Sequence, residues 1–578
     1  MVPQRKLLKV FKKTTYLTTF LLLCIAWSRL RLFFLNVKSQ PNAVEYNGGL
    51  IDDIKLMKCY RWYKNCETLY AQSAVHDNSF VLWNRVSKNM TDSSLYAIES
   101  NWLYETFFYV HLFNTNANKE DEKQPLADIA VSRDPSLVPL TVLQEVMPSL
   151  RSSDSMMGNK RLYYQKTSWW YRFWNNPLPT KMNLMNKWKH NNDILWSKIQ
   201  HDSCLITNIQ LYLGSNFVES RPFWKEIIHE LHNEDGNSIP ISITRKVECG
   251  FDANHTFPKN TINNKDLLQL KQKSDLKILQ LSDIHIKGNE ENSAILGEFQ
   301  SRIFISRIID IERPDLVVIT GDILDGNKSV DYQTCILNVV QPIIRAQIPF
   351  VISFGAKDFS KYATQQEITD FVNQIPYCLN KNSDSNGHLT IPYNFSTIPN
   401  DSKDDYSNLI TQNDLAIFIF NSKTSKRQFF KDYISLYKSP PKLALAFQYL
   451  PIPTYRLSGV FPIIGQYNER NLLPEGFDND DNLINYMHEM NIKALSCGFD
   501  HSNDCCLQSI HDIWLCYSGA TGLTAPHSIF MPPSVRLFKV DNIDKSITSW
   551  KRNYNKIDEV YDYQYIYNQP KQKHTPSN

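Results

Sequence analysis

The chain lacks several features that would place it in a common class of protein. It has 62 basic and 59 acidic residues, so its net charge is only +3 and gives no case for a nucleic-acid-binding surface. Its eleven cysteines contain no CxxC motif followed by a second one, which argues against a structural zinc knuckle. With 578 residues, 42% of them hydrophobic, we expect two folded units and some additional segments.

A long apolar run is also missing. The best candidate is TTYLTTFLLLCIAWS at 14–28, which is shorter than the ~20 residues that a membrane span needs. A basic cluster that includes Arg5 and Lys13 precedes it, and Arg29 follows, so the pattern is that of a secretory signal. Because basic residues dominate the first flank, we favour an uncleaved signal anchor with a cytosolic N-terminus. A cleaved signal peptide and a surface amphipathic helix are the alternatives.

Two further features favour a luminal or extracellular body. Sequons for N-glycosylation begin at five asparagines: Asn89, Asn254, Asn327, Asn394 and Asn400. The ten cysteines that follow Cys24 are an even number, which permits full pairing into disulfides. We therefore expect a type II single-pass membrane protein of the secretory pathway, or a secreted protein if the signal is cleaved.

Composition divides the chain into four parts. They are the signal anchor or signal peptide at 1–40, a β-rich domain at 41–270, a second domain at 271–545 and a polar C-terminal tail at 546–578. In the β-rich domain, CLITNIQLYLG and IPISITRKV predict strands, and the tryptophans of TSWWYRFWNN are better explained as core than as a sugar platform. The polar stretch at 380–408 is predicted to be a surface insertion.

From residue 276 onward, buried strands alternate with amphipathic helices. LKILQLS, DLVVIT and FVISF are typical of strands, and apolar residues recur at helical spacing in the segments between them. A β-α-β-α-β order predicts a parallel sheet with helices on its faces, which is an α/β fold.

Polar side chains follow several of these strands. Asp283 and His285 follow the first strand, Asp322 follows the second, and His501 follows a later one. Because the carboxyl ends of parallel strands share one edge, these side chains are expected to lie together. A single aspartate there is usually a helix cap and a single histidine an ordinary polar group. Carboxylates and imidazoles that gather at several strand ends instead favour a site for Zn²⁺, Fe or Mn²⁺.

This order of motifs resembles the signature of the calcineurin-like metallophosphoesterases: D-x-H, G-D-x-x-D, G-N-H-D, a lone His and G-H-x-H. The resemblance covers about 276–545 and implies a β-sandwich flanked by helices, preceded here by the smaller β-rich domain. Neighbouring text such as ALAFQYLPIPTY and IWLCYSGATG resembles the fungal purple-acid-phosphatase-like branch. Yeast members of that branch include a membrane-anchored, dosage-dependent cell-cycle regulator and a protein named for glucose-linked activation of the plasma-membrane proton pump.

The resemblance implies two adjacent metal ions, of which this chain retains the ligands for one. The matching ligands of the first metal are Asp283, His285, Asp322 and His501. The other ligand positions of the second metal are all replaced: Ala356, Tyr449 and Phe499. Lys357 stands where a histidine assists the leaving group or steadies the substrate. We expect Phe499 to fill the vacated space and Lys357 to place its charge beside Asp322, since a buried carboxylate without its metal needs a partner.

Loss of the second metal predicts loss of hydrolysis, because two-metal hydrolysis uses both ions to hold the phosphate. The leading hypothesis is a membrane-anchored or secreted pseudophosphatase that binds at most one metal ion and has a regulatory role through an unknown protein partner. By resemblance, that role could be activation of the plasma-membrane proton ATPase. One alternative is an active phosphatase on phosphomonoesters or phosphoproteins with a one-metal or non-standard site. Another is a purely structural domain that binds no metal.

Overall fold

The computed structural model describes most of the second half of the chain and parts of the first. The described residues are 16, 18–27, 48–60, 66, 83–86, 88–90, 103–113, 124–131, 139, 141–142, 188–192, 195–199, 204–213, 217–232, 238–250, 273–288, 292–395, 414–456, 461–468, 482–527 and 531–568. They fall into two compact units. The first comprises Met1–Ser215 and Phe223–Lys259, and the second Asn216–Pro222 and Asn260–Asn578. The change of unit therefore falls before the predicted boundary at 270.

The described part of the first unit is built from strands. They are β1 Ile51–Tyr60, β2 Trp83–Arg85, β3 Tyr104–Leu112, β4 Leu126–Val131, β5 Trp188–Asn192, β6 Leu195–Ile199, β7 Cys204–Leu213, β8 Trp224–His232 and β9 Ser238–Cys249. They form three antiparallel sheets with the orders β1-β3-β2, β4-β6-β5 and β7-β9-β8. Ile54, Ile129 and Ile243 are buried in one core that the sheets share. The prediction of a β-rich N-terminal region is confirmed, whereas its tryptophans at 167–176 lie outside the described residues.

The second unit contains both strands and helices. Its described strands are β10 Asp275–Leu281, β11 Leu316–Thr320, β12 Phe350–Ser353, β13 Leu389–Tyr393, β14 Leu415–Ile419, β15 Leu443–Gln448, β16 Ile463–Ile464, β17 Ile492–Cys497, β18 Cys506–Gln508, β19 Trp514–Tyr517, β20 Ser534–Asp541, β21 Ser546–Asn553 and β22 Tyr561–Asn568. Its described helices are α1 Asn292–Glu312, α2 Tyr332–Arg345, α3 Gln365–Asn373, α4 Arg427–Tyr437 and α5 Leu483–Glu489.

These strands form two sheets that face each other. Their orders are β12-β11-β10-β20-β21-β22 and β13-β14-β15-β17-β19-β18-β16. Within them, β10 to β12 run parallel, as do β14, β15, β17 and β19. Ile278 and Val318 of the first sheet share a core with Ile417 and Leu445 of the second. Helices α4 and α5 cover the other face of the second sheet. The predicted α/β sandwich flanked by helices is confirmed.

The predicted polar tail is wrong for residues 546–568. Strand β21 pairs with β20 and β22 pairs with β21, so both extend the first sheet. The strands were missed because polar residues occupy buried positions in them. Ser549 accepts from Arg536, and Lys551 forms ion pairs with Asp504 and Asp562. Residues 569–578 lie outside the described part.

The polar insertion predicted at 380–408 also contains a strand. Strand β13 pairs antiparallel with β14 at the edge of the second sheet, and Leu389 and Tyr393 are buried in the core. The alternation of apolar and polar residues in LTIPY is the period that a half-buried strand requires. Residues 396–408 lie outside the described part.

Three disulfides occur among the described cysteines: Cys59–Cys66, Cys204–Cys249 and Cys506–Cys516. The other described cysteines of the second unit are buried thiols: Cys335, Cys378, Cys497 and Cys505. Of the predicted signal anchor, the structure describes only residues 16 and 18–27. None of the described helices is both long enough and apolar enough to pass through a membrane.

Candidate functional site

The candidate site lies where the parallel strands of both sheets end. Asp283 and His285 follow β10, and Asp322 follows β11. All three have positive φ values, of 51°, 55° and 49°, which few residues other than glycine adopt. The backbone N–H groups of Ile284 and His285 both donate to the carbonyl of Asp322, so the two loops hold each other in this conformation. Such strain is typical of functional sites.

Three side chains form a compact group of possible metal ligands. The Nε2 atom of His501 lies 3.2 Å from Asp283 Oδ1 and 3.1 Å from His285 Nε2. One ligand atom from each residue lies within 4.8 Å of the others. The fourth predicted ligand, Asp322, is outside this group, but its Oδ2 atom is 3.9 Å from His285 Nε2. The structure therefore brings all four predicted residues to one place and groups three of them tightly.

The outer contacts of Asp283 and His501 aim both residues at this point. His501 Nδ1 is 2.9 Å from the carbonyl of Pro526, which can only accept, so Nδ1 carries a proton and Nε2 is the atom that faces Asp283 and His285. Asp283 Oδ2 accepts from the hydroxyl of Ser282 and, at 2.9 Å, from the N–H of Phe499. Burial alone would raise the pKa of Asp283, but hydrogen bonds and positive charge from both histidines lower it to about 2. The carboxylate is therefore ready to bind a cation.

Both carboxylate oxygens of Asp322 accept hydrogen bonds from protein groups. Its Oδ2 atom accepts from the hydroxyl of Tyr449 at 2.6 Å, and its Oδ1 atom accepts from the backbone N–H of Lys357 at 2.9 Å. Burial raises the pKa of Asp322, and the negative charge of Asp283 raises it further. Burial and the neighbouring carboxylates also raise the pKa of Tyr449, which keeps its proton available for donation.

The positions that match the second metal hold no ligand set. Ala356 is exposed, and its methyl group cannot bind a metal ion. The hydroxyl of Tyr449 donates a hydrogen bond to Asp322. The ring of Phe499 packs edge-on against the ring of Tyr449 at a centroid distance of 5.7 Å. A single shared carboxylate cannot hold a metal ion on its own, so these residues do not fit a second metal.

The expected contact between the Lys357 ammonium and Asp322 is wrong. Lys357 Nζ lies 3.8 Å from Asp325 Oδ1 and 3.5 Å from His285 Nδ1, and only the backbone of Lys357 contacts Asp322. Asp325 Oδ1 is also 3.6 Å from His285 Nδ1. The side chain turns away because Asp322 already has a donor in Tyr449, whereas Asp325 lies beside the lysine.

The loop that carries Lys357 keeps its frame. Asp358 is buried, and its carboxylate accepts from the N–H groups of Gly355, at 2.7 Å, and Leu324, at 3.0 Å. Burial and the charge of Asp322 raise the pKa of Asp358 to about 7. A Cβ atom on Gly355 would lie 2.3 Å from Asp322 Oδ1, so only glycine allows this approach. The backbone of this loop is thus held in place, although Ala356 and Lys357 replace the asparagine and histidine of the family pattern.

Two residues near the site were not predicted from sequence. Asp325, the second aspartate of TGDILDG, is not among the predicted ligands, although it contacts both His285 and Lys357. His527, in the segment after β19, donates to the carbonyl of Gly522; burial, together with the charges of His501 and His285, lowers its pKa. Its signal in the sequence was its place after a strand that ends at this edge.

The change Tyr449→Phe is expected to lower the stability of the metal-free chain. Both Tyr449 and Asp322 are buried, and hydrogen bonds to charged groups contribute about 1.5–3 kcal/mol. The loss should appear as a lower urea midpoint, with Tyr362→Phe, which alters a partly exposed tyrosine, as the near-neutral control. A change below about 0.5 kcal/mol, the range of ordinary surface substitutions, would show that the hydroxyl does not support Asp322.

Comparison with known proteins agrees with this fold. A model of the calcineurin-like phosphoesterase family matches residues 276–460. Protein SIA1 of Kluyveromyces lactis is 31% identical over 578 residues, covering 94% of each chain. Phosphatase DCR2 of Saccharomyces cerevisiae is 26% identical over 335 residues, which are 51% of this chain and 57% of the relative. The probable inactive purple acid phosphatase 28 of Arabidopsis thaliana is 24% identical over 300 residues, 45% of this chain and 73% of the relative. The chain therefore belongs to the calcineurin-like phosphoesterase family, in the branch that contains SIA1, DCR2 and the inactive purple acid phosphatase-like proteins.

Proposed function

We propose that this protein is a pseudophosphatase: it keeps the phosphoesterase fold and one metal site, and acts by binding rather than by hydrolysis. The observation that carries the proposal is the hydrogen bond from Tyr449 to Asp322. In a two-metal phosphoesterase the bridging carboxylate contacts both ions, but here a hydroxyl group takes the second position and Phe499 packs behind it. Hydrolysis needs both ions to hold the phosphate, so this substitution removes the chemistry while leaving the fold intact.

The first site fits a single transition metal ion. Two imidazole nitrogens and two carboxylates are a donor set that suits Zn²⁺, Fe or Mn²⁺. His501 and His285 would supply nitrogen, Asp283 and Asp322 oxygen, and Pro526 holds the His501 ring in the required tautomer. A metal ion bound there supplies a Lewis acid for an anionic ligand. Ser282 and the N–H of Phe499 keep Asp283 oriented whether or not the ligand is present.

A second candidate function is an active phosphatase with one metal and a lysine. Its support is the position of Lys357, whose side chain is 45% exposed and whose Nζ atom lies 3.5 Å from His285 Nδ1. A lysine at that distance from a metal ligand can bind phosphate oxygens as a point charge. Against it stands the ion pair of Lys357 with Asp325, which a phosphate ligand would have to disrupt.

For location, we propose a luminal or extracellular body anchored by the N-terminal segment, or released by its cleavage. Basic residues before the apolar segment, the sequons after it and three disulfides among the described cysteines support this proposal. A regulatory role through a protein partner follows from a retained fold without catalysis. The family resemblance makes activation of the plasma-membrane proton pump the first process to examine.

The deciding experiment is a phosphatase assay on the purified full-length chain with added Mn²⁺, Zn²⁺ or Fe. We expect no hydrolysis of a phosphomonoester above the metal-only background, because the second metal has no ligand set. The matched control is Asp322→Asn, which should leave that background unchanged. Wild-type turnover of ~1 s⁻¹ or faster, abolished by Asp322→Asn, would establish the active phosphatase instead.

A further inference from the structure

One sequon lies at the rim of the candidate site. Asn327 belongs to a short 3-10 turn, Gly326–Lys328, that directly follows Asp325. The N–H of Gly326 donates to the carbonyl of Lys357 at 3.0 Å, and Asn327 Oδ1 accepts from the N–H of Lys361 at 3.2 Å. Asn327 therefore lies at the junction of two loops, 321–329 with the aspartates and 355–361 with Lys357.

The other contacts of these loops show how near the site this junction is. Asp325, two residues before Asn327, lies 3.6 Å from His285 Nδ1 and 3.8 Å from Lys357 Nζ. Asn327 itself is exposed. Only its carbonyl oxygen is used within the described part of the chain, which leaves Nδ2, the atom to which a glycan is attached, pointing at no partner there.

We propose that Asn327 carries an N-linked glycan that screens the Lys357 side of the site and restricts it to small ligands. The proposal rests on the luminal location under the proposed function. Transfer from a lipid-linked oligosaccharide forms a bond between Asn327 Nδ2 and C1 of the first sugar. It breaks the bond from C1 to the lipid pyrophosphate, which leaves, and one amide proton passes to a base. The Oδ1 contact with Lys361 survives, since the amide keeps its carbonyl.

The structural role of Ser329 does not explain the exposed asparagine. Ser329, the hydroxyl residue of this sequon, is buried; its Oγ donates to the carbonyl of Ile286 and accepts from the N–H of Asp325. That serine holds the turn in any case, but nothing in the turn requires an asparagine two residues earlier except the single contact of its carbonyl with Lys361. The test should therefore change Asn327 and leave Ser329 intact.

The other described sequons differ in position. Asn89 is half-buried in the first unit, where its side chain accepts from Thr106. Asn394 is exposed and follows β13, at the edge of the second sheet, where it accepts from the N–H of Asp414. Asn394 is the matched control, because it is an exposed sequon of the same unit whose strand ends at a different sheet edge. Asn254 and Asn400 lie outside the described residues.

A restricted site would have a consequence for the protein partner. A macromolecule could not place a phosphorylated side chain beside Lys357 without displacing the glycan. The ligand of the site would then be a small anion, and a protein partner would bind another surface. This size limit can be measured without knowing either ligand, because Lys357 is exposed enough to be acylated.

The experiment uses the full-length glycoprotein from its native cells. Peptide mass spectrometry should find a glycan on Asn327. A small acylating reagent should label Lys357 at the same rate in the wild type, Asn327→Gln and Asn394→Gln. A polymer-linked reagent of the same chemistry should label Lys357 slowly in the wild type and in Asn394→Gln, and this delay should be lost in Asn327→Gln.

Each other outcome overturns the proposal in a recognisable way. A bare Asn327 beside a glycosylated Asn394 refutes the inference and leaves the luminal location standing. Absence of glycan from every sequon refutes the inference and the location together. A glycan on Asn327 without any difference between the small and the polymer-linked reagent refutes the size restriction. None of these results depends on whether the chain hydrolyses phosphate.

Discussion

A chain with Ala356→Asn, Lys357→His, Tyr449→His and Phe499→His together is expected to bind a second metal ion and to hydrolyse phosphomonoesters measurably. These four changes replace every group that differs from the two-metal pattern. The backbone around the site favours success. Asp358 accepts from the N–H groups of Gly355 and Leu324, and Asp322 is within hydrogen-bonding distance of Tyr449 and of the backbone of Lys357, two of the four changed positions. One electrostatic contact to the reacting group can be worth ~10²–10³ in rate, so the gain over the wild type should be at least about 100-fold.

Single reversions should do little, because a metal held by one or two protein groups binds weakly and the residues act as a unit. Tyr449→His alone should also destabilise the chain, since it removes the hydroxyl that Asp322 accepts from. The control is the fourfold variant with Asp322→Asn added, which should lose both the second metal and the rate. A folded fourfold variant that still binds one ion and shows no rate would contradict the view that these four positions explain the inactivity.

The sheet that carries the site could be predicted because buried parallel strands are continuous apolar runs. Leu316–Thr320 is buried at every position, and a polar residue appears where it ends. Strands β21 and β22 could not be found in this way. They run antiparallel at the edge, where Tyr563 and Tyr565 are exposed and the buried face includes a glutamine, Gln564. Their pattern is therefore not the apolar one by which a buried strand is recognised.

The ligand residues could be predicted from sequence, but the partner of Asp322 could not. Loop position fixes where the backbone of Lys357 lies, and that backbone does contact Asp322. The direction of a long, flexible side chain depends on all its neighbours, and here the ammonium contacts His285 and Asp325. Tyr449 was recognised only as a missing histidine. Its hydroxyl lies at hydrogen-bonding distance because a tyrosine is longer than a histidine and reaches the carboxylate that a metal ion would otherwise contact.

The structure also shows why losing the second site need not cost the first. Two ligands of the first site, Asp283 and His501, are fixed by contacts that do not involve the altered residues' side chains. Asp283 is held by Ser282 and by a backbone N–H, and His501 is held by the carbonyl of Pro526. Replacing the side chain of Phe499 leaves its N–H in place. The positions of Asp283 and His501 therefore do not depend on the lost ligands of the second site, which is what a pseudophosphatase that retains one metal requires.

Metal analysis of the purified full-length chain is expected to find about one tightly bound transition metal ion, and Asp283→Asn with His501→Ala should abolish it. These changes leave His285 and Asp322 as the intact ligands, and the Oδ2 atom of Asp322 accepts from Tyr449, so the remaining groups should bind a metal ion only weakly. Metal bound to the folded chain also stabilises it, by about 2.7 kcal/mol at a free concentration 100 times the Kd. The wild type should therefore show a higher melting temperature with metal than after chelation, and the double variant should show no difference.

A matched control removes the same two residue types elsewhere. His511 and Asp512 are exposed and do not belong to the cluster of possible metal ligands that the described residues form. Asp512→Asn with His511→Ala should leave the tightly bound ion and the thermal shift unchanged.

A stoichiometry near two in the wild type would mean that Tyr449 and Phe499 do not close the second site. No bound metal at all would favour a purely structural domain. Retention of the ion in the Asp283→Asn, His501→Ala chain would mean that the ion does not bind at the cluster of Asp283, His285 and His501.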